Sequence, residues 1–179
     1  MYKSGFAHTD DITDDNSVWS YSSTNSKACF YIDEDEYCHT NGLLQNRKEY
    51  SYVISSKSAD NAYFSKTISL NANTNYVVNV MVKSTFVKDT SVPFPLLPAY
   101  ISATIGNNII TSIDCVGIVG DWIEMSLGFK TGSSTSVTLK IGANFNNSSK
   151  TEAVYFSNIR VDKINATKIL FLAYNNGHL

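Results

Sequence analysis

The sequence predicts an all-β protein, an antiparallel sandwich or barrel, and three observations carry that prediction. Apolar residues recur at every second position in many short segments. Asn, Gly, Ser, Thr and Pro punctuate those segments. No stretch of ten or more residues holds apolar positions at helical spacing between good caps.

Residues 1–26 are polar and contain "HTDDITDDNS". Its acidic pairs lack the Asp-x-Asp-x-Asp-Gly order of a calcium loop, so the stretch reads as solvated. Trp19 and Tyr21 open the first strand-like segment. "KACFYI" (27–32) and "EYSYVISS" (49–56) alternate or nearly so. "AYFSKTISL" (62–70) sets Phe64, Ile68 and Leu70 on one side, with Lys66 interrupting that side. Asn71, Asn73, Thr74 and Asn75 then form a turn-rich run, and "NYVVNVMVKS" (75–84) follows. Its Tyr76, Val78, Val80 and Val82 share one face. A Pro-rich insertion, "SVPFPLLPAY" (91–100), leads into "YISATI" (100–105). Met125, Leu127 and Phe129 alternate strictly in "DWIEMSLGFKT", as do Val137, Leu139 and Ile141 in "STSVTLKIGANF". "NFNNSSKT" (144–151) reads as a loop, and "AVYFSNIRV" (153–161) adds Phe156, Ile159 and Val161 to the expected core. The final "INATKILFLAYNNGHL" (164–179) breaks the pattern. It is an extra strand or short helix on the sandwich, or the first element of a following domain. The expected division is therefore 1–163 as one β-sandwich and 164–179 as an appendage.

Composition narrows function. The formal charge is -2, with 17% charged residues, which gives no electrostatic reason to expect nucleic acid or an anionic membrane as partner. No apolar run approaches the ~20 residues that span a bilayer, so membrane insertion is not expected. Residues 1–6 do not read as a signal peptide. Polar character comes from Ser, Thr and Asn, accompanied by 11 Tyr, a mixture suited to strands and hydroxyl-rich recognition surfaces. Cys29, Cys38 and Cys115 lack C-x-x-C spacing, which argues against zinc. Cys29 and Cys38 flank a hairpin-like turn near Asp33 and Glu34, where they either pair or are simply small, part-buried thiols. His8, His39 and His178 fall in loops or the tail, outside any G-x-S-x-G motif. The carboxylates from Asp33 to Glu36 are contiguous on a turn, whereas glycoside hydrolysis needs two carboxyls facing across a cleft. There is no P-loop or dinucleotide fingerprint. No enzyme and no cofactor are expected.

Three segments in order, "ISLNANTNYVVNVMVKS", "GDWIEMSLGFKTGSSTSVTLKIGANF" and "VYFSNIRVDKI", resemble the jelly-roll carbohydrate-binding modules of families four, nine and twenty-two. "SGFAHTDDITDDNSVWSYSS" is similar to a loose version of the family's opening, and the resemblance runs from about Phe6 to Lys163. It implies a two-sheet antiparallel sandwich with a groove on the outer face of one sheet. It also implies a non-catalytic module of a larger secreted or cell-surface bacterial protein, held on a polysaccharide or glycan and covalently linked to neighbouring domains. Such modules often hold calcium through an acidic residue just after the opening Phe and an Asp in the last strand. Those places read Ala7 and Ser157, so no metal is expected there.

A sugar site needs an aromatic ring for the C–H face of a pyranose and polar groups for its hydroxyls. Parity nominates Tyr100, Ser102 and Thr104; Asn79, Met81 and Lys83; Glu124 and Ser126; and Thr138, Lys140 and Asn144. The expected ligand residues are Tyr100, Asn79, Lys83, Glu124 and Asn144, with Tyr52 and Tyr31 as further aromatic candidates. Tyr100, Asn79, Lys83 and Glu124 are expected to converge on one surface. The alternative is a structural or adhesion sandwich, of the kind found in surface or phage proteins, with no sugar ligand.

Overall fold

A computed structural model of the chain describes residues 19–35, 50–56, 60–85, 99–105, 108–114, 120–145 and 152–164. These form ten strands: β1 (Ser20–Ser23), β2 (Cys29–Asp33), β3 (Ser51–Ser56), β4 (Asp60–Ser69), β5 (Asn75–Ser84), β6 (Ala99–Ile105), β7 (Asn108–Asp114), β8 (Ile123–Lys130), β9 (Ser136–Phe145) and β10 (Glu152–Lys163). They pair into two five-stranded sheets, β1-β4-β9-β6-β7 and β2-β3-β10-β5-β8, every pairing antiparallel. The expectation of a two-sheet antiparallel sandwich holds, and the barrel does not.

The strands form where alternation demands an inner and an outer face. Tyr76, Val78, Val80 and Val82 are fully buried, and they meet Phe129, Leu127, Met125 and Ile123 in register on β8. Val137, Leu139 and Ile141 of β9 meet Ile68, Lys66 and Phe64 of β4 on the opposing inner face. These two inner faces make one core. Lys66, which breaks the apolar run of β4, does lie on that inward side and is buried.

The turn chemistry follows the sequence. Asn73 adopts a left-handed conformation (φ 51°), tolerable for Asn, and its N–H donates to the Gly132 carbonyl. Thr131, fully buried, donates through Oγ1 to the Asn71 carbonyl at 2.7 Å and accepts from the Thr74 N–H at 3.1 Å. The β4–β5 turn is thereby fastened to the β8–β9 turn. In β10 the register shifts between Ser157 and Arg160, with Asn158 at φ 50°. This bulge explains why Phe156 and Ile159, three apart, both face inward.

Two departures from the sequence reading concern element bounds. β7 was not expected, because Asn107 and Asn108 mask its start and its apolar residues Ile109, Ile110 and Ile113 do not alternate strictly. β9 runs on through Asn144 to a fully buried Phe145, where a loop was expected. Residues 165–179, the acidic N-terminal stretch, residues 91–98 of the Pro-rich insertion and the three histidines lie outside the described residues. Among the described residues no helix is long and apolar enough to cross a membrane.

Candidate functional site

The two sheets present separate outer faces, and the nominated residues divide between them. Tyr100, Ser102, Thr104, Thr138, Lys140 and Asn144 lie on the outer face of β1-β4-β9-β6-β7. Asn79, Lys83, Glu124 and Tyr31 lie on the outer face of β2-β3-β10-β5-β8. A 10 Å-thick core separates such layers. The expected convergence of Tyr100 with Asn79, Lys83 and Glu124 is therefore corrected. Parity assigned each residue to an outer face but carries no information on which sheet a strand joins.

Tyr52 is also corrected. It is buried, with its ring 5.9 Å from Trp19, 5.5 Å from Tyr50 and 5.2 Å from Phe64. Burial pushes its phenol far above the ordinary value, and neighbouring Tyr50 adds to the shift. Such a ring has no free face for a ligand.

The second sheet's outer face is largely satisfied by its own side chains. Arg160 and Glu124 form an ion pair at 2.7 Å. Ser126 donates to Asn79 Oδ1 at 2.6 Å, and Asn79 Nδ2 points to Asp162 Oδ2 at 3.5 Å. Lys83 Nζ lies 6.0 Å from the Trp122 ring centroid. Tyr31 is hydrogen-bonded to Tyr155; burial, then the Tyr155 charge and hydrogen bond, push its phenol up to about 12. Cys29 is a free, exposed thiol rather than a part-buried one, while Cys38 and Cys115 lie outside the described residues.

The first sheet's outer face is built differently. In register across it run Ser22 (β1), Tyr63 (β4), Gly142 (β9) and Tyr100 (β6). A Cβ at Gly142 would stand 2.4 Å from Tyr100 Cζ, 2.5 Å from its Oη and 2.7 Å from Cε1. The Tyr100 hydroxyl donates to Asn61 Oδ1 on β4 at 2.9 Å. A tyrosine standing upright would carry its hydroxyl away from the sheet. This one starts on β6, crosses β9 above the glycine and ends on β4. Its ring therefore lies along the sheet, one face on backbone and the other outward, and the side chain is half-buried. Glycine is required because any side chain would fill the space the ring occupies.

Tyr63, on the other flank of Gly142, is covered instead: Lys140 Nζ sits 4.4 Å from its ring centroid. Thr67 and Thr138 hydroxyls pair at 2.9 Å one row further along. Asn144, exposed, pairs in register with Asn61 at the opposite end. Sequence reasoning missed Tyr63, Asn61 and Gly142. The signal for the glycine was present, since a glycine inside a strand marks close approach by another group.

Asp60, at the head of β4, is also functional in a structural sense. It is buried and accepts from Thr24 Oγ1 at 2.8 Å and from the backbone N–H groups of Asn25, Lys27 and Ala28 at 2.9, 3.0 and 3.1 Å. Burial alone would raise its pKa. The donors outweigh that, led by Asn25 N–H, and hold the carboxyl at about 2. Its lone pairs are committed to the β1–β2 turn. Ser157, at the place where the resemblance puts a calcium-binding Asp, is buried and donates to the Tyr50 carbonyl at 3.2 Å. Among the described residues no cluster of three or more His, Cys, Asp or Glu could hold a metal ion.

No family model and no curated protein matches the chain. Solved structures do. The structure of TmCBM61 with β-1,4-galactotriose is similar over 82% of this chain and 88% of that one, at TM-score 0.54 and 9% identity. A CBM4 structure matches over 82% and 86%, at TM-score 0.52 and 11% identity. The enzymatically active domain of bacteriophage CBA120 tailspike protein 4 matches over 82% of this chain but 19% of its own length, at TM-score 0.55 and 15% identity. The chain has the jelly-roll sandwich of the carbohydrate-binding modules that its sequence resembles.

Proposed function

We propose that this chain is a non-catalytic carbohydrate-binding module that takes a glycan on the outer face of sheet β1-β4-β9-β6-β7. The observation that carries the reading is the Tyr100 ring laid over Gly142 and tethered to Asn61. A ring laid along a sheet offers a pyranose the apolar surface its axial C–H groups need. Asn144 and Asn61 stand on one side of that ring to exchange hydrogen bonds with sugar hydroxyls. The fold likeness to TmCBM61, solved with a galactotriose, supports the same reading at the level of the scaffold. Docking a linked catalytic or surface domain of a secreted protein would then raise local substrate concentration without new chemistry.

Titration calorimetry on hits from a broad glycan array tests this. One stacked ring and a few net hydrogen bonds of about 0.5–1.5 kcal/mol each give affinities on the order of 10–1000 μM. Tyr100→Ala should abolish measurable binding and leave the fold intact. A parent protein that binds no glycan would favour the second reading, a structural sandwich within a larger assembly. That reading draws on the tailspike, in which this fold accounts for 19% of the chain.

A further inference from the structure

Lys140 separates this face from the one on the other sheet. There, charge is matched in place: Arg160 pairs with Glu124. Lys140 is half-buried on an outer face whose described neighbours are neutral. Ser65 and Ser102 flank it in register, Thr138 and Gly142 lie two residues away along β9, and Tyr63 lies beneath its ammonium. Among the described residues it makes no ion pair. The nearest carboxylate by register is Asp114, which pairs with Tyr100 on β7. Two inter-strand spacings and two residues along the strand put the Asp114 and Lys140 positions roughly 12 Å apart. The Tyr63 ring fixes where the ammonium sits without removing its charge.

The ammonium stands beside the strand position over which the Tyr100 ring lies. Lys140 is two residues from Gly142 along β9, about 6.6 Å, on the side away from Asn144. A pyranose seated on Tyr100 would carry its ring substituents toward Asn144 and Asn61 on one side and toward Lys140 on the other. A neutral hydroxyl can use a cation, but a carboxylate or sulfate gains a charge-assisted bond there. We infer that the face selects an acidic glycan, a polymer of uronic acid or sulfated sugar, and that Lys140 is the residue that reads the acid group. This rests on the proposed glycan-binding role of the same face.

The test uses matched pairs. Polygalacturonate, alginate, hyaluronan and glucuronoxylan are each compared with their carboxyl-reduced forms, and sulfated with desulfated galactan, by calorimetry and affinity electrophoresis on the full chain. At least one acidic member should bind about tenfold or more tighter than its neutral counterpart. That preference should shrink as salt is raised from 0.05 to 0.5 M. Lys140→Gln should bring the acid-to-neutral ratio near one, and Lys140→Arg should restore it, both with unchanged far-UV spectra. Neutral forms binding as tightly as acidic ones would overturn the inference and leave glycan binding standing. An acid preference that survives Lys140→Gln would overturn the role of Lys140. Failure of every member of both series, with no binding on the wider array, would overturn the glycan reading itself and the inference with it.

Discussion

Replacing Gly142 with Ala tests the platform without touching any group that would contact a sugar. The new Cβ would fall 2.4 Å from Tyr100 Cζ, far inside van der Waals contact, so the ring must rise. The colliding atoms are the free end of a side chain, so β9 itself need not move. Raising the ring breaks the Tyr100–Asn61 hydrogen bond, a net loss of about 0.5–1.5 kcal/mol. Removing a glycine from a strand interior returns roughly 0.5–1 kcal/mol. Stability should therefore stay within about 1 kcal/mol of the parent. Binding should not: a stacked face of about 60 Å² at ~25 cal/mol per Å² corresponds to about 1.5 kcal/mol, a loss of roughly tenfold. Calorimetry against the best array hit, beside urea melts, reads both numbers. Parent-like affinity in a folded Gly142→Ala protein would show that the flat seating of Tyr100 is irrelevant to binding.

Four further outcomes follow from the same geometry. Asp60→Ala leaves the Thr24 hydroxyl and the N–H groups of Asn25, Lys27 and Ala28 without their acceptor, and should cost about 2–3 kcal/mol in urea denaturation; a change under half a kcal/mol would refute the hub. The donors around Asp60 hold its folded carboxyl at about 2, below the ordinary 3.8, so its contribution is full above the unfolded pKa and fades as pH falls from about 4 to about 2; the parent should lose more stability over that window than Asp60→Ala, and parallel profiles would contradict it. Leu139→Ala, in the middle of β9, should cost about 2–5 kcal/mol, and a negligible change would reverse the parity of that strand. Glu124→Gln breaks an exposed ion pair on the other sheet, so it should shift stability by less than about 1 kcal/mol and leave glycan affinity within about twofold; a large loss of binding would move the site to that sheet.

The faces of the strands were legible and their grouping was not. Alternation alone placed Tyr76, Val78, Val80 and Val82 inward, and all four are fully buried. The same parity set Tyr100, Lys140 and Asn144 outward, and they do share one face. Period two is a local property of each strand, so it survives in the sequence. Sheet membership depends on pairings such as Tyr155 with Lys83, which no local pattern encodes. That is why Asn79 and Glu124 were joined to Tyr100, from which the core divides them. Tyr52 failed for a related reason. β3 is buried on both faces at Tyr52, Val53 and Ile54, so alternation gives no side there. Lys66 was readable by parity as an interruption of the inward side of β4, and it is buried there opposite Leu139.

The order of strands also governs when the chain can fold. Only β2–β3 and β6–β7 are neighbours in both sequence and sheet; every other connection crosses from one sheet to the other. The central strand of each sheet is among the last made: β9 lies between β4 and β6, and β10 between β3 and β5. Until residues 136–163 have left the ribosome, neither sheet has a middle, and four long strands each keep an unpaired edge. At roughly 5–20 residues per second, that interval lasts seconds, with apolar strand edges open to other chains. A chain stopped at residue 135 should consequently be unfolded rather than a smaller sandwich. Closure by distant pairing then sets a folding time in the millisecond-to-second range expected of sandwiches rich in non-local contacts.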